Sequence, residues 1–378
     1  MLSVDELNRR FIPFSALRSS TEAFIDYCLP ECTPKYNYAL IGPGVSQNPN
    51  QPVNLREPHG FQVGGVNLPH GKTNPPHMHF TCEVFICTRG RWRIEWGFDP
   101  DVQSAEIGAG DIVTVPTWIY RGFTNVGVDD GFLFTALGGD NTGGILWGPT
   151  VIEAAAARGV QLTARHEIVD SSRGDQLPPG TPLFEPMTLA EIQSLQRWSL
   201  EAMSSRIVRR EALRWSRHGL LDSTLPGGGA QLSAVIGMGI AQDRELAAPV
   251  MNPHGVSLEW MKIPPRSGVA RHRLADKQVL LAACGQIELA IEANDGTARY
   301  TLRGAEAGWD SYAVPSGAWR HLANTGTADA LVLVMTAGDH RKTIEWDPQV
   351  TRDAAAADLA IDANGYVAPL RFVLRAQS

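Results

Sequence analysis

The stretch Gly71-Lys-Thr-Asn-Pro-Pro-His77-Met-His79-Phe-Thr-Cys-Glu83-Val-Phe-Ile-Cys-Thr-Arg-Gly90 decides the fold of this chain. Its form is G-x5-H-x-H-x3-E-x6-G. In an extended strand, residues i and i+2 point to the same face. His77 and His79 therefore aim together into an interior, while Met78 turns the other way. Glu83, at the head of the next apolar segment, can join them. Two imidazoles and one carboxylate make a facial donor set that suits non-haem Fe(II) and leaves positions open for substrate and O₂. Gly90 is expected in a tight turn between strands, where a positive φ is needed.

Working outward, Gly110-Asp-Ile-Val-Thr-Val-Pro116-Thr-Trp118-Ile-Tyr-Arg121-Gly-Phe-Thr-Asn125 forms a second spaced pattern of Gly, Pro and Asn. Both patterns recur later in the chain. His272, Leu274, Gln278 and Gly285 follow His77, His79, Glu83 and Gly90 at a constant offset, 272 − 77 = 195. Pro315, Gly317, Arg320 and Asn324 follow Pro116, Trp118, Arg121 and Asn125 at 320 − 121 = 199. A period of this length signals two copies of one domain.

These spacings resemble the two characteristic motifs of the cupin superfamily, and the duplication resembles a bicupin, over about 38–146 and 230–340. The first motif is met at every position. The second departs at Trp118, where the family usually has Gly, and at Arg121, where it usually has the last metal-binding His. The resemblance implies a mainly β chain of two double-stranded β-helix, jelly-roll-like barrels. In layout it is similar to ring-cleaving dioxygenases of the gentisate and salicylate type. It thus implies one divalent metal per chain, Fe(II) first and Zn, Mn or Ni also compatible, held by His77, His79 and Glu83.

Arg121 has two readings. Its guanidinium cannot ligate a cation, and it can either pair with Glu83 or hold an anionic substrate bidentately beside the metal. The second copy has Leu274 and Gln278 in place of a His and the Glu, and His321 falls one residue past the ligand position, on the outward face of a strand. His272, Gln278 and His321 therefore make a poor second site, and metal is expected in the N-terminal barrel alone.

Short apolar runs such as Phe61 to Leu68, Trp92 to Trp96, Val256 to Ile263 and Ala330 to Met335 are separated by Gly, Pro, Asn and Asp, as consecutive strands are. Residues 1–30 show roughly helical spacing. Pro149 to Ala164 reads as a helix. Thr188-Leu-Ala-Glu191 reads as a capping box opening a helix to about Trp215. The expected organisation is a helical N-terminal extension 1–37, a barrel 38–149, a mostly helical segment 150–217 and a barrel 218–378. His59 and His70 are candidates for the barrel mouth. Trp92, Trp96, Trp118 and Trp147 are expected in the core, and the Gly138 to Gly144 run as a turn.

The 378 residues carry 33 Lys+Arg against 40 Asp+Glu, a net charge of −7, opposite in sign to a general nucleic-acid binder. No apolar run is long enough to span a bilayer, and the acidic N-terminus lacks the pattern of a signal peptide. Five cysteines are too sparse for a disulfide framework, so a cytoplasmic protein is expected. The partners expected are a small anionic substrate and further copies of the chain. Three functions compete: a dioxygenase-like oxidoreductase on a small aromatic or carboxylate substrate, a non-redox metal-dependent lyase, isomerase or hydrolase, and a non-catalytic binding cupin.

Overall fold

The computed structural model describes residues 2–373. The chain divides into two units, one of residues 17–210 and one of residues 1–16 with 211–378.

In the first unit two antiparallel sheets face each other. The larger takes in Tyr36–Ile41, Phe61–Leu68, Gly131–Gly138, Glu83–Arg89 and Ile112–Val115 in that order. The smaller takes in Ile145–Trp147, Thr73–His79, Arg121–Asn125, Trp92–Trp96 and Gln103–Ile107. Along Trp92–Trp96 burial alternates residue by residue, with Trp92, Ile94 and Trp96 sunk into the core. That alternation is what a half-covered strand dictates. Gly90, between Glu83–Arg89 and Trp92–Trp96, has φ 91°. Two jelly-roll barrels follow one another along the chain, and the mainly β expectation holds.

Two helical expectations need correction. Residues 1–37 contain one five-residue helix, Val4–Asn8, and single turns at Phe14–Ala16 and Ile25–Cys28. The 150–217 segment is helical only at Pro149–Ala156, Leu189–Ser194 and Leu200–Ser204. The capping box at Thr188 and Glu191 is present. The helix it opens ends where Leu195 turns extended, at ψ 152°. Past that break the indole of Trp96, buried in the barrel, donates to the Trp198 carbonyl at 2.9 Å, and Ser199 caps a fresh helix. Ile192 and Leu195 close over Met78 and Tyr120 on the outer face of the sheet. The segment then ends as a strand, Ile207–Val208, paired with Ile112 and Val113.

The second unit repeats the strand plan. Gln231–Ile236, Val256–Ile263, Ala330–Ala337 and Gln278–Ala293 neighbour one another, and Arg320–Ala323 and Gly268–Arg273 continue the order. Phe11–Ile12 pairs with Tyr312 and Ser311 at its edge.

Candidate metal centre

Thr73–His79, Arg121–Asn125 and Glu83–Arg89 carry the site. Arg121 lies opposite His77 in the ladder, and Val115 lies opposite Glu83. His77, His79 and Glu83 are all buried, and one ligand atom from each lies within 4.8 Å of the others. Nε2 of His79 is 3.4 Å from Glu83 Oε2, and Nε2 of His77 is 3.8 Å from it. Met78 is buried too, but on the opposite face, under Ile192.

The ring nitrogens facing away are held by backbone. His77 Nδ1 lies 2.8 Å from the Pro75 carbonyl and 3.0 Å from Asn74 Nδ2, and its Nε2 faces Glu83 in the interior. Asn74 is held in turn by Lys35 at 2.5 Å, a buried ammonium neutralised by Asp26. His79 Nδ1 lies 3.5 Å from the Gly144 carbonyl.

Glu83 Oε2 is buried and accepts no hydrogen bond, an arrangement that a bound cation would relieve. Burial pushes the Glu83 carboxyl up, but the imidazoles of His79 and His77 override it and hold the group well below the usual carboxylate range. Burial lowers the pKa of His79 against the pull of Glu83. A neutral imidazole beside an ionised carboxylate is the state a divalent cation requires. The donor set therefore fits a metal.

Arg121 is 1% exposed. Its Nε donates to the Ile119 carbonyl at 3.1 Å and its Nη2 to the Pro116 carbonyl at 2.5 Å. The remaining Nη1 has no hydrogen bond and stands 3.6 Å from Glu83 Oε2. Both readings of this residue thus meet at one atom, Nη1.

The triad ends a cavity of about 90 Å³ within the first barrel. Its polar lining includes Asn37, Gln51, Gln62 and Asn74, and the loop from Gly42 to Ser46 walls it as well. Asn37 Nδ2 and Gln51 Oε1 are buried without partners. Spacing could not have singled out these residues, because they come from four separate segments. The Gly42-Pro43-Gly44 run was the one local signal.

The remaining candidates settle elsewhere. His59 is buried, with Nδ1 2.8 Å from the Glu57 carbonyl, and His70 packs Nδ1 against the Gly127 carbonyl; neither lines the cavity. Trp92, Trp96 and Trp147 are core. Trp118 is not core as expected: its left-handed backbone at φ 58° turns the indole outward, 46% exposed and edge-on to Phe80 at 5.6 Å. In the second unit Arg320 Nη2 donates to Gln278, and Arg320 Nη1 donates to the Ala318 carbonyl at 3.0 Å. His321 lies on the other side of that strand, half-buried. Within residues 2–373, His77, His79 and Glu83 form the one cluster with metal-ligand geometry. No helix among the described residues is long and apolar enough to cross a membrane.

The sequence matches no family profile and no curated protein. Solved structures do resemble it. The oxalate decarboxylase of Lactobacillus farciminis in complex with formate matches with a TM-score of 0.53 at 12% identity, over 88% of this chain and 87% of that one. Tomato vicilin matches with 0.53 at 12%, over 90% and 88%. The Bacillus subtilis oxalate decarboxylase at pH 4.6 matches with 0.53 at 11%, over 95% and 87%. These neighbours are bicupins, and at such identities the likeness shows the fold alone. The fold is that of two cupin barrels. Likeness to gentisate-type dioxygenases is not among these matches.

Proposed function

We propose that the N-terminal barrel is a metal-dependent enzyme site for a small carboxylate, working without redox chemistry. The observation that carries this is the convergence of His77, His79 and the unpartnered Glu83 Oε2 at the end of a cavity of about 90 Å³. Fe(II) or Mn(II) held by those three residues would supply Lewis-acid polarisation of a bound carboxylate or carbonyl.

Size selects the substrate. A cavity of about 150 Å³ takes one benzene, so about 90 Å³ suits an acid smaller than a ring. The aromatic hydroxy acids implied by the dioxygenase resemblance are a poorer fit. Charge selects it as well. Glu83 and Arg121 cancel, which leaves the charge of a divalent cation to be met by an anionic ligand. Arg121 keeps a positive group within 3.6 Å of Glu83 Oε2, favouring ionised Glu83 and negative ligands beside it. Fold does not choose here, because the same architecture serves oxalate decarboxylases and vicilins.

The test is elemental analysis of freshly purified protein, followed by anaerobic turnover of acids of two to four carbons with Mn(II) or Fe(II). About one metal per chain and oxygen-independent conversion are expected. Oxygen consumption coupled to loss of an aromatic acid would sink the reading, and so would protein that never binds metal.

A further inference from the structure

The two barrels contain the same loop. Gly42 to Gln47 in one and Gly237 to Gln242 in the other stand 195 residues apart, 237 − 42. Gly42 and Gly237 have φ 71° and 72°, and Gly44 and Gly239 have φ 65° and 49°. At the start of the loop, Gly42 N–H donates to the Leu55 carbonyl and Gly237 N–H to the Val250 carbonyl, both at 2.9 Å. At its end, Gln47 N–H donates to the Ala23 carbonyl at 2.8 Å and Gln242 N–H to the Gly219 carbonyl at 2.7 Å. The backbone is therefore held in one conformation twice.

What sits in the crook of the loop differs. In the second barrel it is a carboxylate. Glu259, wholly buried, accepts the Ile240 N–H at 2.5 Å, and the Ala241 N–H lies against the same group, whose Oε2 is buried without a hydrogen-bond partner. The fit is close enough that a Cβ on Gly239 would lie 1.4 Å from Glu259 Oε1. In the first barrel the position of Glu259 is Gly64, 259 − 195, which has no side chain to offer, and the side chain that meets the loop's N–H groups is neutral: Gln62 Oε1 accepts the Gly44 N–H. A Cβ on Gly44 would meet nothing within 4 Å. The N–H groups of Val45 and Ser46, counterparts of Ile240 and Ala241, have no hydrogen-bond partner among the described residues. Gly44, Val45, Ser46 and Gly64 all line the cavity that ends at His77, His79 and Glu83.

We propose that the Val45 and Ser46 N–H groups form a subsite for a ligand carboxylate, and that Glu259 shows within the same chain how such a group is held. Successive backbone N–H groups converging in a loop favour an anion, and in the second barrel they lower the Glu259 carboxyl against the burial that raises it. The inference deepens the metal-site reading and rests on it for the rest of the substrate. A molecule spanning the cavity would present one polar group to the triad and a carboxylate to the loop.

The experiment is an amide NMR titration of the full-length, metal-free protein with acetate and malonate, with acetamide as the neutral control. Because no metal is present, failure of the metal site leaves this readout intact. The Val45 and Ser46 signals should move with either acid and not with acetamide. Gly64→Glu should carry those signals shifted from the outset and weaken acid binding at least tenfold. Signals that stay put, or that move equally with acetamide, overturn the proposal. A Cβ at position 64 comes within 3.0 Å of Thr135 Oγ1, so this variant may be paired with Glu259→Ala. Acetate should restore the thermal stability lost by Glu259→Ala better than acetamide does. Absence of that recovery would show that the loop does not recognise a free carboxylate.

Discussion

Asn37, Gln51, Asn74 and His79 face the cavity of the first barrel. In the second barrel, 195 residues on, stand Leu232, Leu246, Val269 and Leu274. Leu232, Val269 and Leu274 are buried in one aliphatic core, and Leu246 packs against it. The backbone brackets, by contrast, are kept. Asn125 donates to the Leu68 and Asp129 carbonyls at 2.8 Å each, and Asn324 donates to Ile263 and Ala328 at 2.7 and 2.8 Å. The Asn that closes this turn is the same in both halves, and the cavity residues Asn37, Gln51, Asn74 and His79 are replaced by apolar ones. The second barrel has spent its interior on packing, and the first has kept a polar void.

The sharpest break between the halves should be in metal content. His77→Ala is expected to lower it from about one ion per chain to near none, while His272→Ala leaves it unchanged, as read by elemental analysis. Equal losses in the two variants would erase the asymmetry.

Next in size comes the arginine pair. Arg121 faces a carboxylate, whereas its counterpart Arg320 faces the neutral amide of Gln278. Arg121→Ala strands a buried Glu83 and should cost the metal-free protein about 3–5 kcal/mol by denaturant unfolding. Added metal should recover part of that loss by neutralising Glu83. A stable variant with intact metal content and weaker acid binding would show Arg121 acting on substrate alone.

A pH effect belongs to the second barrel. Burial raises the Glu259 carboxyl to about 7, against bonds from Ile240 and Ala241 that lower it. The unfolded chain ionises this group near 4.5, so its contribution is fully present below that pH, falls as pH rises to about 7, and then levels off. The difference, 7 − 4.5, amounts to about 3 kcal/mol. Burial, helped by Arg320, lowers His272 to about 3, so its contribution is lost in the opposite sense, as pH falls below 6.5 toward 3. Glu259→Gln should therefore remove the fall between 4.5 and 7 and leave the His272 rise, opposed up to about 6 by Asp222, whose carboxyl burial raises to about 6. Unchanged pH curves would show that Glu259 is not held this way.

The smallest effect concerns Trp118 at φ 58°, whose counterpart Gly317 has φ 71°. Trp118→Gly should raise stability by about 1 kcal/mol by removing left-handed strain, less the contact with Phe80. A lower melting temperature would mean that the contact outweighs the strain.

The fold was readable because barrels of this kind put their signature in short spans. His77, His79 and Glu83 lie within seven residues, and period-two alternation turns that spacing into a shared face. The Trp118 departure was visible too, though its exposure was not. The continuous helix expected after Thr188 breaks at Leu195, and the chain beyond it is tied to Trp96, a hundred residues earlier, through the Trp198 carbonyl. The cavity loop was out of reach for a related reason. An N–H group without a partner leaves no mark at its own position; the mark is a glycine, Gly64, set against a glutamate 195 residues on.

Phe11 and Ile12 pair with Tyr312 and Ser311, and the Ser311 hydroxyl donates to the Ile12 carbonyl across 299 positions. During synthesis Phe11 and Ile12 leave the ribosome long before Ser311 and Tyr312 exist. The 17–210 unit is continuous and can fold as it emerges, whereas the other unit cannot be completed until its edge strand has been made. Residues made before the continuous unit thus find their place after it.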